Sequence, residues 1–123
     1  LSALAELAQR NGAAEDPLIR ERLTRSWVGL RSMRSYAMAT MDVEQPGQDN
    51  ISKLLWANWH RDLGELAMDV LGKASLVLRD GEFGEWQRLF LFSRADTIYG
   101  GSNEIQRNVL AERVLGLPRE VKG

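Results

Sequence analysis

The chain has 123 residues, with 16 Lys and Arg against 17 Asp and Glu, 44% hydrophobic residues and a formal net charge of −1. That is the size and balance of one globular domain, and near-neutrality gives no reason to expect nucleic acid or an anionic membrane as a partner. The absence of cysteine excludes disulfides and thiolate chemistry; it fits a reducing compartment, so a cytoplasmic location is expected.

No apolar run approaches bilayer length, and no basic-then-apolar leader precedes the first helix. Leu1 opens inside an apolar-periodic stretch, so the start reads as a cut through a longer protein. Leu4, Leu7 and Ala8 sit at helical spacing up to Arg10, and Asn11-Gly12 supplies a stop. Asp16-Pro17 is a helix start: aspartate caps free N–H groups, and proline is tolerated where its missing N–H would be unpaired anyway. The spacing predicts a long helix from Pro17 to Met41, with Leu23, Trp27, Leu30, Ala37 and Met41 on one face.

Glu44 to Asp49, with Pro46-Gly47, reads as a loop, and Asn50 is placed to cap the next helix. That helix carries the stripe Leu55, Trp59, Leu63, Leu66 and Val70 and stops at Gly72. Arg79-Asp80-Gly81 and Gly84 mark a second loop. Trp86, Leu89, Phe90, Ser93 and Thr97 or Ile98 predict a helix ending at Gly100-Gly101. Ser102 then caps a last helix, with Glu104 in its first turn, through Ile105, Val109 and Glu112-Arg113 to Gly116 and Pro118. No period-two run is long enough for a strand. The fold class is therefore all-α, an antiparallel up-and-down four-helix bundle with a short N-terminal piece. A missing first helix would leave apolar surface to cover, as would Trp27, Trp56, Trp59 and Trp86 if they do not all fit inside, and either points to a partner surface, for instance another copy.

Composition and spacing say little of chemistry. His60, the only histidine, has Trp56 and Trp59 as its helical neighbours and reads as structural. The arginines between Arg20 and Arg34 read as a solvated face, and Glu82 and Glu85 lie in an exposed loop. One stretch stands out: Ile98-Tyr99-Gly100-Gly101-Ser102-Asn103-Glu104-Ile105. Paired glycines let the backbone turn sharply and approach a ligand, and they lead straight into a capped helix start. Taken alone, this is either a plain helix–turn–helix corner or a place to hold part of a polar cofactor.

The run from Phe92 to Asn108, FSRADTIYGGSNEIQRN, closely resembles the C-terminal signature of acyl-CoA dehydrogenases, and Ala111 to Arg119 resembles the ending of bacterial members. The match is specific from Phe90 to Glu120; upstream, the Asp16-Pro17 start and Lys53-Leu54-Leu55-Trp56 are similar to the family's bundle helices. The resemblance implies that residues 1–123 are the C-terminal helical domain, with the N-terminal and middle domains and the first bundle helix lying upstream. It implies FAD as cofactor, oxidation of an acyl-CoA to the 2,3-enoyl-CoA as in fatty-acid β-oxidation, electron-transfer flavoprotein as electron acceptor, and a homo- or hetero-oligomer. In that chemistry a glutamate takes the α-proton while the β-hydrogen leaves as hydride to the flavin.

Gly101, Ser102, Asn103 and Glu104 match the family's flavin-contacting turn. Many members keep the catalytic glutamate directly before this glycine, where Gly100 stands here, so no catalytic residue is assigned within the chain. The family's second flavin-contacting segment, a glutamine, two apolar residues and two glycines, matches Asp69-Val70-Leu71-Gly72-Lys73, with a carboxylate for the amide. Asn11 to Glu15 replaces an arginine-x-x-phenylalanine-glycine segment. These departures keep an alternative open: a non-catalytic partner subunit or an oligomerisation domain of the same kind of complex.

Overall fold

A computed structural model describes residues 1–119. The last residues of the signature and of the domain assignment, 120–123, lie outside it. Five α-helices follow in order: α1 (Ser2–Arg10), α2 (Pro17–Thr40), α3 (Gln48–Leu71), α4 (Glu85–Asp96) and α5 (Asn103–Val109). Short 3-10 segments at Ala13–Glu15 and Gly72–Leu76 follow α1 and α3, and a wider π turn, Leu110–Val114, continues α5. The described residues contain no strand beyond one isolated bridge between Arg79 and Glu82. The expected all-helical bundle is what forms.

Local chemistry sets these boundaries. The Asp16 carboxylate accepts a hydrogen bond from the Leu18 N–H at 2.8 Å, and Pro17 takes the first helical position. α3 begins earlier than expected: Gly47 is the N-cap and Gln48 the first helical residue. The Gln48 side chain ties the loop together, donating to the Thr40 carbonyl at 3.2 Å and accepting from the Gln45 N–H at 3.3 Å. This leaves the Asn50 amide free to bond elsewhere. α4 stops at Asp96, short of Thr97, because the chain tightens there: Ile98 and Tyr99 N–H both bond to the Ala95 carbonyl at 2.9 Å.

α3 is the centre of the bundle and touches each of the other four helices. Its Leu63, Leu66, Ala67 and Val70 form the core with Leu4 and Ala8 of α1 and Ile19 of α2, and Trp59 and Trp86 pack against it. Packing of α4 on α3 is close because residue 64 is glycine: a Cβ there would sit 2.6 Å from Ser93 Oγ and 3.1 Å from Phe90 Cα. The α2 stripe fares differently. Leu23 is half-buried, but Trp27 is 56% and Met41 71% exposed, and Ile19 is the one α2 residue in the core. The periodicity identifies an apolar face of α2 but not what covers it beyond α1. The groove between them, lined by Leu1, Ala5, Leu23, Trp27 and Leu30, stays open. Among the described residues, no helix is long and apolar enough to cross a membrane.

Candidate functional site

Two stripes run along α3. The apolar one fills the core. The other, Asn50, Lys53, Ala57, His60 and Gly64, recurs at steps of three and four, which puts it on one helical face. That face receives α4, α5 and the corner between them, and its contacts hold the Gly100-Gly101 turn.

In the turn, Gly100 has φ 64° and Gly101 φ 93°, a region that L side chains rarely adopt. The turn's carbonyls point into the protein. Gln106 Nε2 donates to the Gly100 carbonyl at 2.7 Å, and Lys53 Nζ to the Gly101 carbonyl at 2.8 Å. Asn50 in turn donates its side-chain amide to Gln106 Oε1. The two glycines differ in their surroundings. A Cβ at Gly101 would lie 2.8 Å from Gln106 Nε2, whereas one at Gly100 would meet nothing within 4 Å.

The four residues expected at the turn divide in function. Gly101 bends the chain. Ser102 caps α5, its Oγ accepting from the Ile105 N–H at 3.4 Å. Asn103 is buried and faces inward; its Nδ2 donates to Asn58 Oδ1 at 2.9 Å and its Oδ1 accepts from Lys53 at 3.3 Å. Glu104 is exposed. Its carboxyl is held below the usual range by its own backbone N–H, then by the Ser102 hydroxyl, with the charges of Arg107 and Lys53 adding to the effect. Of the four, Gly101 and Ser102 leave backbone near the surface, while the Asn103 side chain is committed to the interior.

Beside the turn lies a network that composition and spacing do not announce. Asp96, the last residue of α4, is 1% exposed. One of its oxygens is hydrogen-bonded to His60 Nδ1. The other accepts from the Tyr99 hydroxyl at 2.7 Å. His60 stacks on Trp56 with ring centroids 4.7 Å apart. The bond to Asp96, then burial and the carboxylate's charge, raise the Tyr99 phenol above its ordinary value. His60 is structural in the sense expected, packed among tryptophans, but it also has a buried carboxylate to hold.

The second candidate segment is also resolved. Asp69 is exposed at the end of α3 and pairs with Arg22 of α2. Gly72 ends the helix there, as expected. Glu82 and Glu85 are exposed, Glu82 being bonded to Arg88. Among the described residues, no cluster of three or more His, Cys, Asp or Glu is arranged to hold a metal.

Comparison with known proteins adds a third line. The family model for the acyl-CoA dehydrogenase C-terminal domain matches residues 2–115. Acyl-CoA dehydrogenase IpdE1 of Mycolicibacterium smegmatis is 80% identical over 122 residues, covering 99% of this chain and 31% of that protein. Its namesake in Mycobacterium tuberculosis is 77% identical over 126 residues, covering 100% of this chain and 33% of that protein. The chain therefore spans about a third of the length of these relatives. A solved structure titled Tcur3481-Tcur3483 steroid ACAD superposes with a TM-score of 0.81 at 26% identity, over 97% of this chain and 33% of that one.

Proposed function

The chain belongs to the acyl-CoA dehydrogenase family, whose C-terminal domain model it matches, and from that premise we propose that it is the helical domain of an FAD-dependent enzyme that oxidises an acyl-CoA to the 2,3-enoyl-CoA. Its part is to contact FAD through the Gly100–Ser102 corner and to help join subunits. The observation that carries this reading is the corner's geometry. Two successive glycines leave the turn without side chains, both of their carbonyls are drawn inward by Lys53 and Gln106, and exposed Ile98, Tyr99 and Ile105 lie beside them in sequence. Such a surface fits the flat edge of an isoalloxazine ring. Gly101 and Ser102 are the backbone contacts; Asn103 and Glu104 act behind them by fixing and capping the turn.

FAD, when bound, supplies the hydride acceptor. This chain's residues orient and exclude; none of them is assigned as the base, because Gly100 has no side chain. The glutamate belongs upstream or in a companion subunit. Electron-transfer flavoprotein is the proposed acceptor of the electrons, and an oligomer the proposed assembly. Residues 1–123 are read as one domain of a longer chain. Likeness to a protein titled a steroid ACAD supports a bulky ring-bearing acyl group as the substrate class. Gly100 also favours a second reading, in which this subunit keeps the bundle and a partner carries the base. The test is flavin content and acyl-CoA turnover of the longer protein carrying Gly101→Val. Loss of flavin supports the reading; undiminished flavin and turnover overturn it. Turnover by the wild-type chain without any companion subunit eliminates the second reading.

A further inference from the structure

We infer that the His60–Asp96 pair is a positioning device for Tyr99, which anchors the N-terminal side of the glycine turn; this rests on the reading of that turn as a flavin contact. The argument starts from how poorly a carboxylate suits the place. Asp96 is 1% exposed, so water does little for its charge. It also ends a helix, where the backbone carbonyls already present negative potential. Packing alone would be better served by an apolar residue. What the carboxylate does there is accept two hydrogen bonds at once, from His60 on α3 and from the hydroxyl of Tyr99.

Tyr99 is 54% exposed and directly precedes Gly100. Its ring is therefore not fixed by burial, and the hydroxyl is its tether. The two glycines that follow are the most permissive residues in the chain and cannot fix their own conformation. The turn is held on its C-terminal side by Gln106 and Lys53, which grip its carbonyls. On its N-terminal side the backbone is held by the Ile98 and Tyr99 N–H bonds to the Ala95 carbonyl, and the side-chain hold is the relay from α3 through His60 and Asp96 to Tyr99. His60 is itself kept in place by its stack on Trp56. Both anchors are thus mounted on the polar stripe of α3, a single 24-residue helix.

A purely structural network and a positioning one separate experimentally. In the longer flavoprotein, the double variant His60→Leu with Asp96→Leu replaces both partners by apolar groups. It is expected to keep its thermal midpoint, since such replacements are commonly neutral or stabilising. Its flavin dissociation constant is expected to rise about tenfold, the size of one lost charge-assisted hydrogen bond. Tyr99→Phe removes only the hydroxyl, leaves the fold in place even if the double variant fails to fold, and is expected to weaken flavin to a similar degree. His60→Asn, which keeps a donor, is expected to retain wild-type affinity. Wild-type flavin affinity in Tyr99→Phe overturns the inference, as does affinity loss that merely tracks thermal stability in a core control, Leu66→Ala. Gly101→Val separates the two readings: if it binds flavin normally, the contact itself is absent; if it alone loses flavin, only the positioning role fails.

Discussion

Gly100 and Gly101 are adjacent, both have positive φ, and yet they should not tolerate alanine equally. Any L side chain in the left-handed region costs about 1–2 kcal/mol, which falls on both positions alike. At Gly100 nothing follows, because the new methyl group meets no atom within 4 Å. At Gly101 it would stand 2.8 Å from Gln106 Nε2. A flexible side chain end can usually withdraw from such a contact, but this amide is held from both sides, donating to the Gly100 carbonyl and accepting from Asn50. Withdrawal breaks at least one of these bonds in a site where Gln106 is buried, at about 1 kcal/mol each, or more if a partner is left unsatisfied. Gly101→Ala should therefore cost about 1–2 kcal/mol more than Gly100→Ala. Urea unfolding of the two variants beside the wild type, with slopes compared to exclude changes in the denatured state, measures the difference. Equal losses, or a greater loss at Gly100, would refute the claim that Gln106 is a fixed wall behind the turn.

Leu66→Ala, at a fully buried core position on α3, should lose about 2–5 kcal/mol in the same assay; a loss below about 1 kcal/mol would show that the core is not where the structure puts it. Asp69→Gln breaks a pair whose side chains are 34% and 54% exposed, so it should change stability by less than about 1 kcal/mol, and a larger drop in thermal midpoint would mean a more buried network. Glu104 has a folded-state carboxyl below its ordinary value. Its stabilisation is thus full above the unfolded range and fades as pH falls through the folded value. The stability gap between wild type and Glu104→Gln should close on acidification, and a gap that widens instead would contradict the sign. The exposed Trp27, Leu30 and Met41 face should drive self-association, which light scattering at rising concentration will detect; a monodisperse monomer throughout counts against it.

The fold was largely legible because its signals are local. Asp16-Pro17 caps and starts α2, Gly72 ends α3, and Ser102 starts α5, each by chemistry within a few residues. Errors arose where distant contacts decide. Asn50 has the side chain of a good N-cap, but its amide is taken up by Gln106 across the bundle, and Gly47 caps the helix instead. The stripe from Leu23 to Met41 obeys helical periodicity, yet periodicity reports only that a face is apolar. What covers it depends on neighbouring elements, and within this chain Trp27 and Met41 stay exposed.

The site was legible in outline and not in its workings, and the reason lies in what polar residues reveal in a sequence. A buried leucine announces itself by hydrophobicity; a buried aspartate looks like any surface one. Asp96 sits in a helix end rich in charge, and its partner His60 is 36 residues away. The usable signal was weaker: Asn50, Lys53, Ala57, His60 and Gly64 are small or polar at a helical interval, too regular for a random surface and wrong for a core. Such a stripe belongs against another helix that brings polar atoms of its own, as Ser93, Asp96, Asn103 and Gln106 do, all of them buried. The same logic bears on Asp69, where the family's pattern has an amide. A bare carboxylate there would repel a cofactor phosphate, but Arg22 lies across from it and neutralises the charge. A guanidinium has five N–H donors, so the pair presents hydrogen-bond donors where the carboxylate alone has none. The residue that departs from the family's pattern is thus paired with one from α2, a contact no motif spacing could have disclosed.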